Sequence, residues 1–224
     1  MITRIRWRYA TTSAALALSA LAALATVPAS ASAPASPTRR DLPEPPPADV
    51  ARDELAGLTV EAPHSMDGYS RAKFPHWIQQ GNNCDTRETV LARDGRNVTA
   101  DVQCRAVAGS WTSVYDGKQV DDARQLDIDH VVPLANAWRS GADKWDTPTR
   151  RKFANDLVDP QLVAVSATSN RQKGDQGPDQ WKPPLSSYHC TYARAWTHVK
   201  SLYKLSVTQA EQNTLAEMLD TCGQ

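Results

Sequence analysis

Two short segments of this chain place chemically distinctive side chains beside apolar runs of strand length. The first, DIDHVVPL at residues 127–134, sets Asp129 next to His130 where an alternating apolar pattern ends. The second, LVAVSATSNRQKGD at residues 162–175, runs from an apolar strand into a segment containing Asn170 and Lys173. Carboxylate and amide oxygens are ligands for a hard divalent cation, and a histidine can take a proton from water. The pair of segments is therefore what a one-metal phosphodiesterase requires.

The N-terminal residues have the organisation of a secretory signal peptide. Arg4, Arg6 and Arg8 precede an uncharged apolar stretch, which is followed by small-residue A-S-A patterns. The stretch is shorter than the roughly 20 residues of a membrane-spanning helix, so we expect cleavage after Ala31 and no membrane contact afterwards. These features predict a secreted, extracellular protein from which residues 1–31 are removed.

The remaining chain divides by composition. Residues 32–49 are rich in Pro, Ala and Ser, which predicts an exposed, disordered linker. Residues 50–224 have the length of one domain. The leader carries three of the 25 basic residues and no acid, which leaves 22 basic against 25 acidic residues, a net charge of −3. Such a chain does not bind nucleic acid by overall charge, so any contact depends on a local patch or a metal.

Four cysteines, none of them in a CxxC pattern, favour disulfides over a zinc site. An even number in an exported chain predicts two bridges, for which three pairings are possible. We prefer Cys84–Cys104 and Cys190–Cys222, because each closes a modest loop on one side of the 127–175 block.

The coarse pattern predicts an α+β fold. Before the block, Asp94-Gly95 between two short apolar pieces predicts a β-hairpin. Within it, residues 126–132 predict a strand with Asp127 and Asp129 on the face opposite the apolar side chains, and residues 162–165 predict a second strand. Asn170 is expected to open the next turn or helix. After it, aromatic residues at helical spacing and the capping box that begins at Thr208 predict C-terminal helices.

Two strands followed by a helix, with a histidine on the first strand and an amide on the helix, outline a ββα-metal motif. DIDHVVP resembles the Asp-His-x-x-Pro signature of the HNH endonuclease superfamily, and SNRQKGD resembles its Asn-x-x-Lys helix start. Both segments are also similar to the HNH domain of the RNA-guided CRISPR effector nuclease. The chain beyond about residue 50 further resembles a group of secreted bacterial HNH-family proteins, through YSRAKFPHW, CDTRETVL, GSWTSVYDG, AWRSGADKW, FAND, WKPP and the four cysteines.

The resemblance implies a role for each matching residue. One divalent ion, most readily Mg²⁺ with Mn²⁺ or another divalent ion as the alternative, would be held by Asp129 and Asn170, and His130 would be the general base. Asp127 would support the ion from outside the ligand set or through a water. Arg171 and Lys173 would contact phosphate.

The resemblance also shows one departure from the family pattern. The family's central Asn, which fixes the backbone near the histidine, stands nine residues before the last Asn, and this chain has Gln161 there. Gln161 offers the same amide on a longer arm and is our candidate for this part of the catalytic site. Asn155 and Asn136 are the alternatives.

These observations predict a secreted, metal-dependent endonuclease that hydrolyses DNA and possibly RNA. We expect a monomer with a ββα-metal core, embedded in a small mixed domain with C-terminal helices and two disulfides. The alternative is a catalytically weakened HNH fold that serves as an exported binding module, which the change at Gln161 motivates. A cell-wall hydrolase would also be exported, but the zinc-peptidase motif HExxH and the serine-hydrolase motif GxSxG are both missing from the sequence.

Overall fold

The computed structural model describes residues 42–223, so the predicted signal peptide and residues 32–41 of the predicted linker lie outside it. This part of the chain forms seven α-helices and seven short strands. The helices are α1 (Ala48–Gly57), α2 (Thr86–Asp94), α3 (Leu134–Arg139), α4 (Thr147–Ala154), α5 (Ala167–Lys173), α6 (His189–Leu202) and α7 (Gln209–Leu219). The strands are β1 (Gln79–Gly81), β2 (Cys84–Asp85), β3 (Arg96–Ala100), β4 (Ala106–Thr112), β5 (Gln119–Val120), β6 (Leu126–His130) and β7 (Leu162–Ser166).

The strands of residues 42–223 form three small antiparallel sheets, ordered β1-β2, β3-β4-β5 and β6-β7. In the last of these, Ile128 pairs with Ala164 and His130 with Leu162, so β6 and β7 run side by side without a bulge. The helix α5 follows β7 directly and packs on both strands. The chain thus has the predicted order of two strands and a helix, with α3 and α4 inserted between the strands.

Both faces of the β6-β7 ribbon are covered, which is why β7 is a continuous apolar run rather than an alternating one. Val163 and Val165 belong to the larger core, which is built mainly from α1, α3, α6 and α7. Leu162 and Ala164 belong to a second core with α2 and Trp111. The ribbon is therefore held rigidly between two apolar layers.

The predicted hairpin at Asp94-Gly95 is wrong, because the residues before it form α2 and only those after it form a strand. Asp94 is buried, and its carboxylate accepts a hydrogen bond from the backbone N–H of Ala164 at 2.7 Å. Contact between α2 and β7 stabilises a helix before Gly95, and a local turn signal in the sequence does not reveal that contact.

The predicted linker boundary also differs from the structure. Leu42 is buried, and α1 begins at Ala48, inside the stretch predicted to be disordered. The guanidinium of Arg194 donates hydrogen bonds to the carbonyl of Pro46 at 2.6 Å and to Glu44 at 2.8 Å. The packed chain therefore starts before Val50, because a proline-rich segment can be fixed by an arginine that satisfies its exposed carbonyls.

Other predictions are confirmed. The fold is α+β, and the disulfides are Cys84–Cys104 and Cys190–Cys222. At the start of α7, Thr208 and Glu211 form the expected capping box. Among the described helices, none has both the length and the apolar character needed to cross a membrane.

Candidate active site

A pocket of about 260 Å³ opens beside the C-terminal end of β6. Its walls include Asp129 and His130 from β6 and Asn170 and Arg171 from α5. Arg71, which comes from a short 3-10 turn far away in sequence, lines it as well. The pocket thus brings together four residues that were singled out from the sequence, namely Asp129, His130, Asn170 and Arg171. The other three, Asp127, Gln161 and Lys173, do not line it.

The helix α5 is fixed at its first turn by side chains. Ser166 is its N-cap and accepts a hydrogen bond from the backbone N–H of Ser169 at 3.2 Å. Asp116 accepts hydrogen bonds from the hydroxyls of Ser166 at 2.6 Å and Ser169 at 2.9 Å. The sequence had indicated that Asn170 opens this helix. Because α5 already begins at Ala167, Asn170 lies inside the helix instead.

Asp129 is buried and held by two side chains. The ammonium of Lys173 donates to both of its oxygens, at 2.9 and 2.7 Å, and the hydroxyl of Tyr115 donates to Oδ2 at 2.5 Å. The same ammonium donates to the carbonyl of His130 at 2.8 Å. All three protons of the Lys173 ammonium are therefore directed at the residues that form the end of β6.

Burial works against ionisation of this pair. It raises the pKa of Asp129 and lowers the pKa of Lys173, while the attraction between them opposes both shifts. Burial also raises the pKa of Tyr115 well above its usual value, so this phenol is a neutral donor. The short contacts with Lys173 are those of an ionised pair that is satisfied on every proton.

This arrangement corrects the phosphate-contact role predicted for Lys173. Its side chain has no exposed surface, and its three protons are already used. A substrate phosphate in the pocket cannot reach it. Lys173 instead orients Asp129 and the backbone of His130.

His130 lines the pocket and carries a neutral imidazole. Its Nε2–H donates to the carbonyl of Ala154 at 3.0 Å, because a carbonyl oxygen can only accept, and this contact leaves Nδ1 as the unprotonated nitrogen. The ring stacks on Trp77 with centroids 5.7 Å apart and planes at 29°. Burial lowers the pKa of His130 to about 3, so the ring is uncharged at neutral pH.

Gln161 fixes the backbone that follows His130. It is fully buried, its amide nitrogen donates to the carbonyl of Val132 at 2.9 Å, and its amide oxygen accepts from the N–H of Val132 at 3.0 Å. Its own carbonyl accepts from the N–H of Val131 at 2.7 Å. Gln161 is therefore a positioning residue, and it does not touch the pocket.

The two alternative amides have other partners. Asn155 accepts hydrogen bonds from the N–H of Ile78 and the hydroxyl of Thr86, and donates to the carbonyl of Pro75. Asn136 accepts from the hydroxyl of Ser140. Neither of these asparagines is hydrogen-bonded to the loop after His130. The longer side chain of Gln161 makes those hydrogen bonds instead.

Asp127 lies beside Asn170 at the edge of the site. The amide nitrogen of Asn170 donates to Asp127 at 3.1 Å, and Nε of Arg171 lies 3.6 Å from the same carboxylate. The side chain of Arg171 is 76% exposed, so its guanidinium can reach an incoming anion. Asp127 orients Asn170 and does not itself line the pocket.

The oxygen donors at the pocket fit a hydrated Mg²⁺. An ionised carboxylate has about four lone-pair positions, and three of those on Asp129 accept hydrogen bonds, which leaves one on Oδ1. The amide oxygen of Asn170 accepts no hydrogen bond from residues 42–223. Mg²⁺ commonly takes one or two protein oxygens and keeps its waters. Within the described residues, no group of three or more His, Cys, Asp or Glu side chains is arranged to hold a metal.

Several residues of the site were not predicted from the sequence. Tyr115, Arg71, His76 and Trp77 all come from the part of the chain before β6. Trp77 has a left-handed backbone with φ of 57°, a conformation that is a genuine outlier for so bulky a residue and often marks a functional site. The segment YSRAKFPHW was noted as part of a resemblance, but nothing in its local pattern shows that it reaches the end of β6.

Basic residues are concentrated in the sequence near the candidate site, and several of them make structural contacts; this basic cluster consists of Arg139, Lys144, Arg150, Arg151, Lys152, Arg171 and Lys173. Arg139 pairs with Asp175 at 2.7 Å, and Arg150 donates to the carbonyls of Lys73 at 3.1 Å and Ala142 at 3.2 Å. The ammonium of Lys152 lies 5.8 Å from the ring centre of Tyr203. Of this cluster, Arg171 is the member that lines the pocket and remains highly exposed.

Comparison with known proteins defines the class first. Residues 85–218, more than half of the chain, match the sequence profile described as GmrSD restriction endonucleases, C-terminal domain. The chain belongs to that family and is thus a nuclease-family protein.

A relative agrees with the predicted location. A protein of Arthroderma benhamiae described as an uncharacterized secreted protein is 58% identical over 180 residues, which are 80% of this chain and 88% of the relative. This description and the two disulfides confirm the prediction of a secreted, extracellular protein. The relative comes from a fungus, so the predicted kinship with bacterial proteins stays a prediction. No solved structure matches the chain.

Proposed function

We propose that this protein is a metal-dependent endonuclease of the HNH type that hydrolyses phosphodiester bonds, with DNA as the main substrate and RNA as a second one. One observation carries the proposal. His130 is neutral, has a free Nδ1 and stands in the same pocket as Asp129 and Asn170. Membership in a nuclease family supports a phosphodiester substrate.

The residues of the chain divide the reaction between them. Nδ1 of His130 takes a proton from a water as the water attacks phosphorus in line with the departing 3′ oxygen. Trp77 and the carbonyl of Ala154 keep the imidazole in one orientation and one tautomer. Arg171 binds a phosphate oxygen at the mouth of the pocket.

Asp129 and Asn170 would hold the divalent ion, with Lys173, Tyr115 and Asp127 orienting them. When bound, the ion offsets the negative charge that develops on the phosphate and the leaving oxygen. The ammonium of Lys173 lies within 2.9 Å of both carboxylate oxygens, which weakens the attraction of Asp129 for a second cation. We therefore expect weak ion binding that strengthens when substrate phosphate is present.

The same ammonium favours the second candidate, an exported binding module with little or no catalysis. In that case Lys173 and Tyr115 saturate Asp129 for structural reasons alone. Cleavage assays separate the two candidates directly.

The test uses the oxidised mature protein and supercoiled plasmid, with Mg²⁺, with Mn²⁺ and with EDTA. We expect nicking that EDTA abolishes and that His130→Ala reduces by about 10²–10⁴-fold, the usual contribution of a general base. His189→Ala is the matched control, because this histidine donates to the carbonyl of Pro183 away from the pocket. Circular dichroism verifies the folding of both variants. No cleavage with either ion would favour the binding module, and equal cleavage by His130→Ala would refute the role of the base.

A further inference from the structure

A second arginine lines the pocket, and it comes from the 3-10 turn at residues 71–73 rather than from α5. Arg71 is exposed and lines the pocket together with His130, Asp129 and Arg171. Among residues 42–223 it forms no ion pair with a carboxylate, unlike Arg139, which is paired with Asp175. Its charge does act on Asp129, but that carboxylate is already paired with Lys173.

A histidine aims the side chain of Arg71. Nδ1 of His76 donates to the carbonyl of Phe74 at 2.8 Å, since the carbonyl can only accept. The neutral ring then has its lone pair on Nε2, and this nitrogen accepts a hydrogen bond from Nε of Arg71 at 3.4 Å. The two terminal amino groups of the guanidinium remain available, and these are the groups with which arginine binds a phosphate.

The same short segment connects this arginine to the base. His76 contacts Trp77 edge-on, with ring centroids 5.3 Å apart, and Trp77 stacks on His130. Trp77 holds the strained left-handed backbone described above, and in this segment the ring of His76 lies against Arg71 and the ring of Trp77 against His130. Strain at this position is what we expect of a segment that is shaped for a ligand rather than for packing alone.

We propose that Arg71, oriented by His76, forms a phosphodiester-binding subsite at the mouth of the pocket. Its two free amino groups bind the non-bridging oxygens of a backbone phosphate, and Arg171 contacts the strand from the α5 side. Arg71 takes the phosphate-binding role that the sequence had given to Lys173. This inference rests on the proposed function for its substrate, but it concerns binding and not bond cleavage.

The experiment measures the binding of a fluorescently labelled DNA duplex in EDTA, by anisotropy, between 50 and 200 mM salt. Arg71→Ala should weaken binding about tenfold, as expected for a charge-assisted hydrogen-bonded contact. It should also reduce the slope of log K against log salt by about 1, because one phosphate contact is lost. Arg96→Ala is the matched control, since this exposed arginine lies on β3 outside the pocket.

Two more variants separate positioning from charge. His76→Phe keeps a ring against Trp77 and the charge of Arg71 but removes the acceptor, so the salt slope should hold while affinity falls. Arg71→Lys should keep the slope and lose part of the affinity, because an ammonium cannot bind two oxygens in a planar fork. In plasmid cleavage, Arg71→Ala should raise KM more than it lowers kcat if the contact is equally strong in bound substrate and transition state.

The outcomes are separable from those of the cleavage assay. If Arg71→Ala binds duplex with unchanged affinity and slope, or if Arg96→Ala loses as much, the subsite is refuted even where the wild type cleaves. Absence of measurable wild-type binding at 50 mM salt refutes it as well. If the wild type binds through Arg71 but never nicks plasmid with either ion, the subsite stands and the proposed catalysis fails.

Discussion

Two lysines are fully buried, Lys173 in the unit formed by β6, β7 and α5 (the ββα unit) and Lys200 in α6. In both cases the charge is buried against an acid, but the consequences for the molecule differ. Lys173 pairs with Asp129, and Lys200 pairs with Glu211 at 3.1 Å. Both ammonium groups lie near the face of Trp196, 5.9 and 5.8 Å from the ring centre. One indole thus stabilises two buried cations in addition to their acids.

The difference lies in the remaining protons. Lys200 donates to the hydroxyl of Ser140 at 2.7 Å and to the carbonyl of Ser206 at 2.8 Å, so it ties together α6 and the loops beside α3 and α7. Lys173 donates to the backbone of His130. A buried ion pair is weak evidence for net stability, and its use in fixing one geometry has to be argued case by case. Here the Lys200–Glu211 pair connects structural elements away from the pocket. The Lys173–Asp129 pair orients a candidate metal ligand, Asp129, and the backbone of a candidate base, His130.

The largest effects should come from breaking each pair. Lys173→Met leaves Asp129 buried without its cationic partner, and Lys200→Met does the same to Glu211, so each should lower the free energy of unfolding by about 3–5 kcal/mol in urea denaturation. Adding Asp129→Asn to Lys173→Met should recover part of the loss.

Cleavage by the folded fraction then distinguishes the pairs. We expect Lys173→Met to lose plasmid nicking and Lys200→Met to keep it, measured where circular dichroism shows both to be folded. Equal loss in both variants would mean that the ββα pair has no positioning role beyond stability.

A smaller effect is expected from the hydrogen bonds next to each lysine. Gln161→Leu leaves the N–H and carbonyl of Val132 buried without partners, which should cost about 2–3 kcal/mol and reduce kcat because the loop after His130 loosens. Ser140→Ala removes one acceptor from Lys200 and should cost about 1–2 kcal/mol without changing kcat. Gln161→Asn is the informative third variant, and full activity in it would show that the longer arm is not needed.

The smallest effect is a pH dependence confined to the ββα side. Burial alone would raise the pKa of Asp116, but hydrogen bonds led by that from Ser166 lower it to about 2. Because the folded pKa lies below the unfolded value, this stabilisation is complete above about pH 4 and is lost as pH falls through 2. The fall of this pKa from 3.8 to about 2 corresponds to at most about 2 kcal/mol, which solvent screening reduces to about 1 kcal/mol.

Asp116→Asn should remove this part of the acid dependence when urea unfolding is followed from pH 5 to 2. Glu217→Gln is the control, since this acid is mostly exposed on α7 and forms a long contact of 3.7 Å with Lys182. If the free energy of unfolding of Asp116→Asn depends on pH as it does in the wild type, the hydrogen bonds from Ser166 and Ser169 to Asp116 do not contribute to stability.

The sequence predicted the β6-β7-α5 order, the disulfide pairing and the capping of α7, because each depends on local pattern or on simple loop closure. It also singled out Gln161, whose place relative to Asn170 is a matter of spacing. The burial of Lys173 was not predictable, since a lysine beside a glycine reads as surface unless the acid opposite it is known. Arg71 and Trp77 reach the site through packing across more than 50 residues of chain, which no periodicity reports.

The contacts of Arg194 with residues 44–46 have a consequence for how the exported chain can vary. Those residues are held by one arginine on α6, through the carbonyls of Pro45 and Pro46 and through the carboxylate of the exposed Glu44, while Pro45 itself is buried. Tolerance to substitution should therefore be higher at Glu44 than at Pro45, and tolerance to a change of length should be low at both. Truncation from the N-terminus should therefore stop before Leu42, because removing Leu42 would take away a buried side chain and loosen α1. This limit lies well before the change in composition at residue 50.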